Sequence, residues 1–178
     1  MAIAKRKKRF FSIELPLIKK ETQLQAYELK ELGNRVIKYD LTRILKGKNI
    51  IITFTTEFKD EQIKTIPKEI KLLSYYIRRM MRKGTSYVED SFSISCKDAQ
   101  VRIKPFLITR RKVPRKIRNA LRLKSREELI NYIKNKTSEE LFDEILKNTL
   151  QKNLNAKLKK IYPLSLCEIR VFAVEKIN

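Results

Sequence analysis

Between Val101 and Lys124 the chain carries ten Lys or Arg residues and no Asp or Glu, in the run VRIKPFLITRRKVPRKIRNALRLK. Guanidinium and ammonium groups at this density do one kind of chemistry well: they neutralise an ordered array of anionic oxygens, and nucleic acid supplies such an array. Arg suits phosphate because its planar fork of N–H donors meets two oxygens at once. The spacing assigns the charges to different supports. Arg102 and Lys104 alternate with apolar residues, as on the polar face of a strand. Arg110, Arg111 and Lys112 mark a strand-to-helix junction. Arg115, Arg118 and Arg122 recur along one helix face, with Lys116 and Lys124 beside them. Contacts of this kind position a protein on a phosphate backbone without reading bases. A solvated face is the usual meaning of five or six like charges; ten without one acid point to a polyanion.

Two further basic clusters extend this pattern. The first nine residues, MAIAKRKKR, hold five cations and no acid: Lys5, Arg6, Lys7, Lys8 and Arg9. Alone such a tail is solvated; against a phosphate backbone it orders as an arm. Arg78, Arg79 and Arg82, followed by Lys83, close a helical pattern. They suit either the negative end of the helix dipole or phosphate, and one or two would suffice for the dipole.

Other chemistries are poorly supplied. Histidine is absent, which removes the commonest general base and the commonest metal ligand. Cys96 and Cys167 are the only cysteines, so no zinc site and no metal is expected, and two buried reduced thiols are expected rather than a disulfide. Gly33, Gly47 and Gly84 lie too far apart for a phosphate-cradling loop. No cofactor and no enzyme activity are expected. Asp60-Glu61, Glu89-Asp90 and Glu127-Glu128 are the raw material of a metal-dependent nuclease. Adjacent residues on a strand face opposite ways, however, so they need not converge on one ion. Phe10, Tyr75, Tyr76 and Tyr87 could stack on unpaired bases. Core packing is the commoner role of an aromatic, and no RNP-type pattern of a base-reading sheet is present.

The elements that must carry these residues follow from periodicity. Period-two alternation marks strands through Phe11, Ile13 and Leu15, ended by Pro16; through Ile37, Tyr39 and Leu41; through Ile50, Ile52, Phe54 and Phe58; and through Phe92, Ile94 and Cys96. A turn near Lys97-Asp98 leads to Val101 and Ile103, and Pro105 breaks the rhythm as a bulge would. A last strand covers about Cys167 to Val174. Pro67 is expected at a first helical position, with Ile70, Leu73, Ile77, Met80 and Met81 on one face and Gly84 as the cap. A second helix starts near Pro114. The patterns Ser125-x-x-Glu128 and Thr137-x-x-Glu140 read as capping boxes that divide the region after Pro114 into short helices. Leu150, Leu154, Leu158 and Ile161 mark the last helix. The fold class expected is α+β: an antiparallel sheet, open or curled towards a barrel, with packed helices and a basic N-terminal arm over residues 1–9 and one domain over 10–178.

The whole chain of 178 residues holds 42 Lys plus Arg against 20 Asp plus Glu, a formal net charge of +22. Self-repulsion at that charge opposes a compact fold and a bound polyanion relieves it. No apolar run approaches the roughly 20 residues needed to span a bilayer, and the basic N-terminus lacks the apolar stretch of a secretion signal. A cytoplasmic location is expected, and a membrane is not expected as a partner.

Four segments, taken in order, resemble the S-three-A-e (e-S-one) family of small-subunit ribosomal proteins shared by archaea and eukaryotes. KRFFSIELP (Lys8 to Pro16) is similar to its aromatic first strand after a basic tail. LGNRVIKYDLTRIL (Leu32 to Leu45) resembles its Gly-Arg-Val strand and following Asp-Leu. SISCKDAQVRIKPFLITRR (Ser93 to Arg111) resembles its hairpin into a basic strand end, and KKIYPLSLCEIRVFAVEK (Lys159 to Lys176) its Ile-Tyr-Pro-Leu segment and final strand. Ala99 and Gln100 stand where the family usually has Gly and Tyr, the first strand lacks the usual Trp, and the chain stops soon after the last strand, as in a short archaeal version. The resemblance implies a structural constituent of the small ribosomal subunit. It implies ribosomal RNA as a partner, neighbouring ribosomal proteins of the platform, and a seat near the messenger exit. An RNA-processing nuclease and a DNA-compacting basic protein are the alternatives.

Overall fold

The computed structural model describes residues 7–45, 47–59 and 62–177; Lys5, Arg6 and the Asp60-Glu61 pair lie outside them. Close contacts divide the chain into two units, one of residues 1–39 and 53–68 and one of residues 40–52 and 69–178.

In the first unit the alternating residues form β1 (Arg9–Leu15), with Ile13 and Leu15 buried and Ser12 and Glu14 exposed. It pairs antiparallel with β2 (Lys20–Ala26), from Arg9 opposite Ala26 to Leu15 opposite Lys20. A 3-10 turn at Leu29–Leu32 comes next. Ile13, Ala26 and Leu32 form a small core, covered by Phe11, Leu24 and Ile63. Buried Thr56 ties this unit internally: its Oγ1 donates to the Leu32 carbonyl at 2.5 Å and accepts from Arg35 N at 3.0 Å.

Three strands contribute to both units: β3 (Val36–Asp40), β4 (Ile50–Lys59) and β5 (Gln62–Leu72). β4 buries Ile50, Ile52 and Phe54, as its alternation predicts. β5 corrects the sequence reading. Pro67 is buried inside this strand rather than opening a helix, and Ile70 and Leu72 are buried at strand spacing. The helix, α1, runs only over Ser74–Met80, is capped by Met81 and stops short of Gly84, which takes a positive φ of 79° in the turn beyond.

The second unit is built on the longest strands. β8 (Ala99–Thr109) and β9 (Leu164–Ile177) pair antiparallel, from Ala99 opposite Ile177 to Thr109 opposite Leu164. One of three register shifts falls between Lys104 and Pro105, where the sequence predicts a bulge. From Pro105 to Thr109 β8 is buried on both faces. β6 (Tyr87–Glu89) and β7 (Phe92–Ser95) pair with β8 as well, and Glu69–Lys71 of β5 pair with β9. The sheet order is β3-β4-β5-β9-β8-β6, with β7 beside β8. That path has two ends, so the sheet is open and not curled into a barrel.

Helices α2 (Arg115–Ile133), α3 (Ser138–Leu146) and α4 (Thr149–Leu158) complete this unit. α2 is one uninterrupted helix of 19 residues. The expected break at Ser125 does not occur, because Ser125 is buried and its Oγ donates back to the Arg122 carbonyl at 2.9 Å. Glu128 serves another end, accepting from Lys157 of α4 at 2.6 Å. The Thr137-x-x-Glu140 capping box is present in both directions and starts α3. Asp98, in the β7–β8 turn, reinforces that start by accepting from Ser138 N at 2.9 Å and Ser138 Oγ at 2.5 Å. α4 ends at Leu158, so Ile161 lies beyond it and is exposed. Phe142 of α3 meets Phe172 of β9 edge-on, with ring centroids 4.9 Å apart, and neither ring is accessible. Cys96 and Cys167 are buried free thiols. Burial and the neighbouring Glu168 push the Cys167 thiol up to about 12, so it stays protonated.

Candidate nucleic-acid interface

The strand-to-helix junction is held rigidly by one buried threonine. Thr109 Oγ1 donates to the Arg111 carbonyl at 2.7 Å and accepts from Ser86 N at 3.0 Å. Thr109 N donates to the Ser86 carbonyl, Ser86 Oγ accepts from Val113 N at 3.2 Å, and Arg110 N donates to the Pro163 carbonyl at 3.3 Å. Val113 is buried, while Arg110, Arg111 and Lys112 are all exposed. The backbone is therefore fixed where the side chains are free. A pre-positioned cation loses less entropy on binding a phosphate than one on a loose loop.

Pro114 then caps α2 in an extended conformation, and Arg115 opens the helix. Leu121, Ser125, Leu129 and Ile133 face the interior. The outward row is Arg115, Arg118 and Arg122, all exposed as their spacing predicts, and Lys116 is exposed too. This row faces β6: Tyr87, Glu89, Arg115, Arg118, Asn119 and Arg122 line one shallow groove of about 250 Å³. Arg122 donates to Asn119 Oδ1 at 3.2 Å. Among the described residues Arg115 and Arg118 have no ion-pair partner.

The run is free of acids along the chain but not in space. Arg102, on the polar face of β8, pairs with Glu175 of β9 at 2.7 Å. Lys124 pairs with Glu127 at 3.0 Å and Glu128 at 3.3 Å, one turn further along α2. Hydrogen bonds from Lys157, then Lys124, hold the Glu128 carboxyl below its ordinary range, and the bonds Lys124 donates to Glu127 and Glu128 raise its own ammonium. Lys104 is half-buried opposite Val171. Within the run, the free positive surface is thus concentrated at Arg110–Lys112 and along the α2 row.

α1 contributes Arg78, Arg79 and, just past its end, Arg82, all exposed. Arg79 lies over the Tyr76 ring at 5.4 Å and donates to the Gly47 carbonyl at 3.4 Å. Arg78 lines a second shallow groove, of about 270 Å³, together with Met81, Tyr87, Phe106 and Arg170. In the first unit Lys7, Lys8 and Arg9 are exposed, with Lys8 over the Tyr27 ring at 5.5 Å. Lys5 and Arg6 of the same cluster lie outside the described residues.

The sequence reading did not single out Arg126 or Arg170. Arg126 covers the Phe92 ring at 5.2 Å, and Arg170 pairs with Glu89. Arg170 alternates with Ile169 and Val171 along the last strand, and that spacing was the available signal. Of the carboxylates considered for a nuclease, the four described ones are engaged elsewhere: Glu89 by Arg170, Asp90 by Ser91 N at 3.0 Å, and Glu127 and Glu128 by Lys124. No group of three His, Cys, Asp or Glu among the described residues could hold a metal ion.

Exposed guanidinium and ammonium groups on a fixed backbone are the kind of surface that suits a phosphate backbone. The family model of the Ribosomal S3Ae family matches residues 4–177. The small ribosomal subunit protein eS1 of Nanoarchaeum equitans is 29% identical over 178 residues, covering 96% of this chain and 90% of that protein. The small ribosomal subunit protein eS1 of Pyrobaculum aerophilum is 30% identical over 160 residues, covering 86% and 72%.

Proposed function

Because the chain belongs to the ribosomal S3Ae family, we infer that its free cations are a contact surface for folded ribosomal RNA. The protein is a structural constituent of the small ribosomal subunit in the cytoplasm and is not an enzyme. The family supports neither a nuclease nor a DNA-compacting protein. The observation that carries the RNA reading is the α2 row with the Arg110–Lys112 junction: exposed guanidinium groups on a backbone fixed by Thr109 and Ser86.

The mechanism is electrostatic and geometric. Each phosphate neutralised releases condensed counterions, and a rigid set of cations fits one arrangement of phosphates better than others. The contacting residues in this reading are Arg110, Arg111, Lys112, Arg115, Lys116, Arg118 and Arg122. Arg78, Arg79 and Arg82 support them, and Lys5 to Arg9 act as an arm in front of one RNA-binding domain over 10–178. Arg102 and Lys124, each paired with a carboxylate, and half-buried Lys104 contribute through the longer-range field. Neighbouring ribosomal proteins of the platform complete the partner set, as the family resemblance implies.

Competition at matched salt tests this reading. Folded small-subunit ribosomal RNA should displace a labelled RNA from the protein at lower concentration than duplex DNA of equal phosphate content. Equal displacement by both would contradict recognition of RNA shape.

A further inference from the structure

Tyr87 is out of place for a core aromatic. It sits on β6 opposite Ile108, yet the residue is 56% exposed. The inner face stacks on Phe106, with centroids 6.1 Å apart and ring planes 22° from parallel, and Phe106 is itself buried. The ring is thus backed by the core and open on its other side. It lines both shallow grooves. On one side is the α2 row of Arg115, Arg118 and Arg122; on the other are Arg78 and Met81. The carboxylate common to both grooves, Glu89, is paired with Arg170, which offsets its repulsion of an incoming phosphate.

We propose that the open face of Tyr87 takes one unpaired RNA base, while Arg115, Arg118 and Arg122 hold the adjoining phosphates. The chemistry is that of single-strand recognition: a π-face for a base beside a cationic track for its backbone. A ring backed by a buried neighbour loses less rotamer freedom on stacking than one on a loose loop. Both grooves are shallow and smaller than the ~300–1,000 Å³ that encloses a small-molecule ligand. A flat base lying on an open ring needs no deeper cavity. The site rests on the reading of the protein as RNA-binding and adds to it a place where an unpaired nucleotide is preferred.

The test uses the full chain and two RNA hairpins, one with a single bulged 2-aminopurine and one fully paired. Stacking on Tyr87 should quench the 2-aminopurine fluorescence, and the bulged hairpin should bind more tightly. Y87L keeps an apolar strand residue but removes the π-face. It should abolish the quench and weaken bulged-RNA binding by about 5- to 150-fold, the range for losing one base–aromatic stack. Its affinity for the paired hairpin should not change, and Y87F should behave as the native protein. R118Q should weaken both hairpins alike while the quench persists at saturation. If Y87L keeps both the quench and the preference, the proposal is wrong while the RNA reading stands. If Y87L binds both RNAs normally but fails to enter the small subunit, a protein neighbour covers the ring, and the proposal is equally wrong. If the native protein binds neither hairpin, the RNA reading itself fails.

Discussion

Replacing Arg115, Arg118 and Arg122 together by Gln should change the salt dependence of RNA binding by a predictable amount. All three are exposed, and none is among the core-facing residues of α2, so the helix should persist. Each phosphate contact contributes about 0.7 to 0.9 to the slope of log K against log salt. Three lost contacts should therefore lower the slope by about 2.1 to 2.7. Over a fourfold rise in salt, from about 50 to 200 mM, the native protein should lose about 20- to 40-fold more affinity than the variant. Fluorescence anisotropy with folded small-subunit ribosomal RNA at several salt concentrations measures both slopes. Net charge alone must be separated from contact. K134Q/K152Q/K159Q removes the same charge from three exposed lysines outside the row, and its slope should stay close to native. Equal slope changes for the two triple variants would refute the claim that the α2 row meets phosphate directly.

Two predictions concern the scaffold. Lys48 is nearly buried, pairs with Glu168 at 2.6 Å and donates to Asn148. K48M leaves that carboxylate without its cation and should cost about 3–5 kcal/mol, lowering Tm by about 6–20 °C; K48M/E168L should recover much of it, and a calorimetric loss under about 1 kcal/mol for K48M would show the pair to be dispensable. Burial alone would raise the Asp98 carboxyl, but hydrogen bonds from Ser138 and Cys96 outweigh it and hold the group below its ordinary range. A depressed carboxylate stabilises the fold above its unfolded pKa of about 3.9 and loses that effect as pH falls through the folded value. D98N should therefore be less stable than native at neutral pH, with the gap closing below about pH 4 in denaturant titrations; a gap constant across that range would remove the Asp98–Ser138 link from the account.

The charge pattern and the long strands were legible from the sequence because they are local. Val101, Ile103, Arg102 and Lys104 sort to opposite faces of β8 as alternation requires, and Pro105 marks a true register shift. The errors arose where a local signal had two meanings. Ile70, Leu73, Ile77 and Met80 keep helical spacing across the boundary between β5 and α1, so periodicity alone joined a strand to a helix. β2 carries its buried Ala26 among Lys, Glu, Thr and Gln, too polar a run to stand out without its partner β1. Ser125-x-x-Glu128 has the letters of a capping box, but buried Leu121 and Leu129 on either side carry the helix through it. The ion pairs of Arg102 with Glu175 and Lys157 with Glu128, and the exposure of Tyr87, depend on the tertiary arrangement. No window of sequence contains them.

Sedimentation tests the central claim most directly. Cell extract is resolved on a sucrose gradient after a high-salt wash, and the protein is followed across the fractions. The account predicts that it travels with the small ribosomal subunit. Recovery only in the free-protein fractions would contradict it.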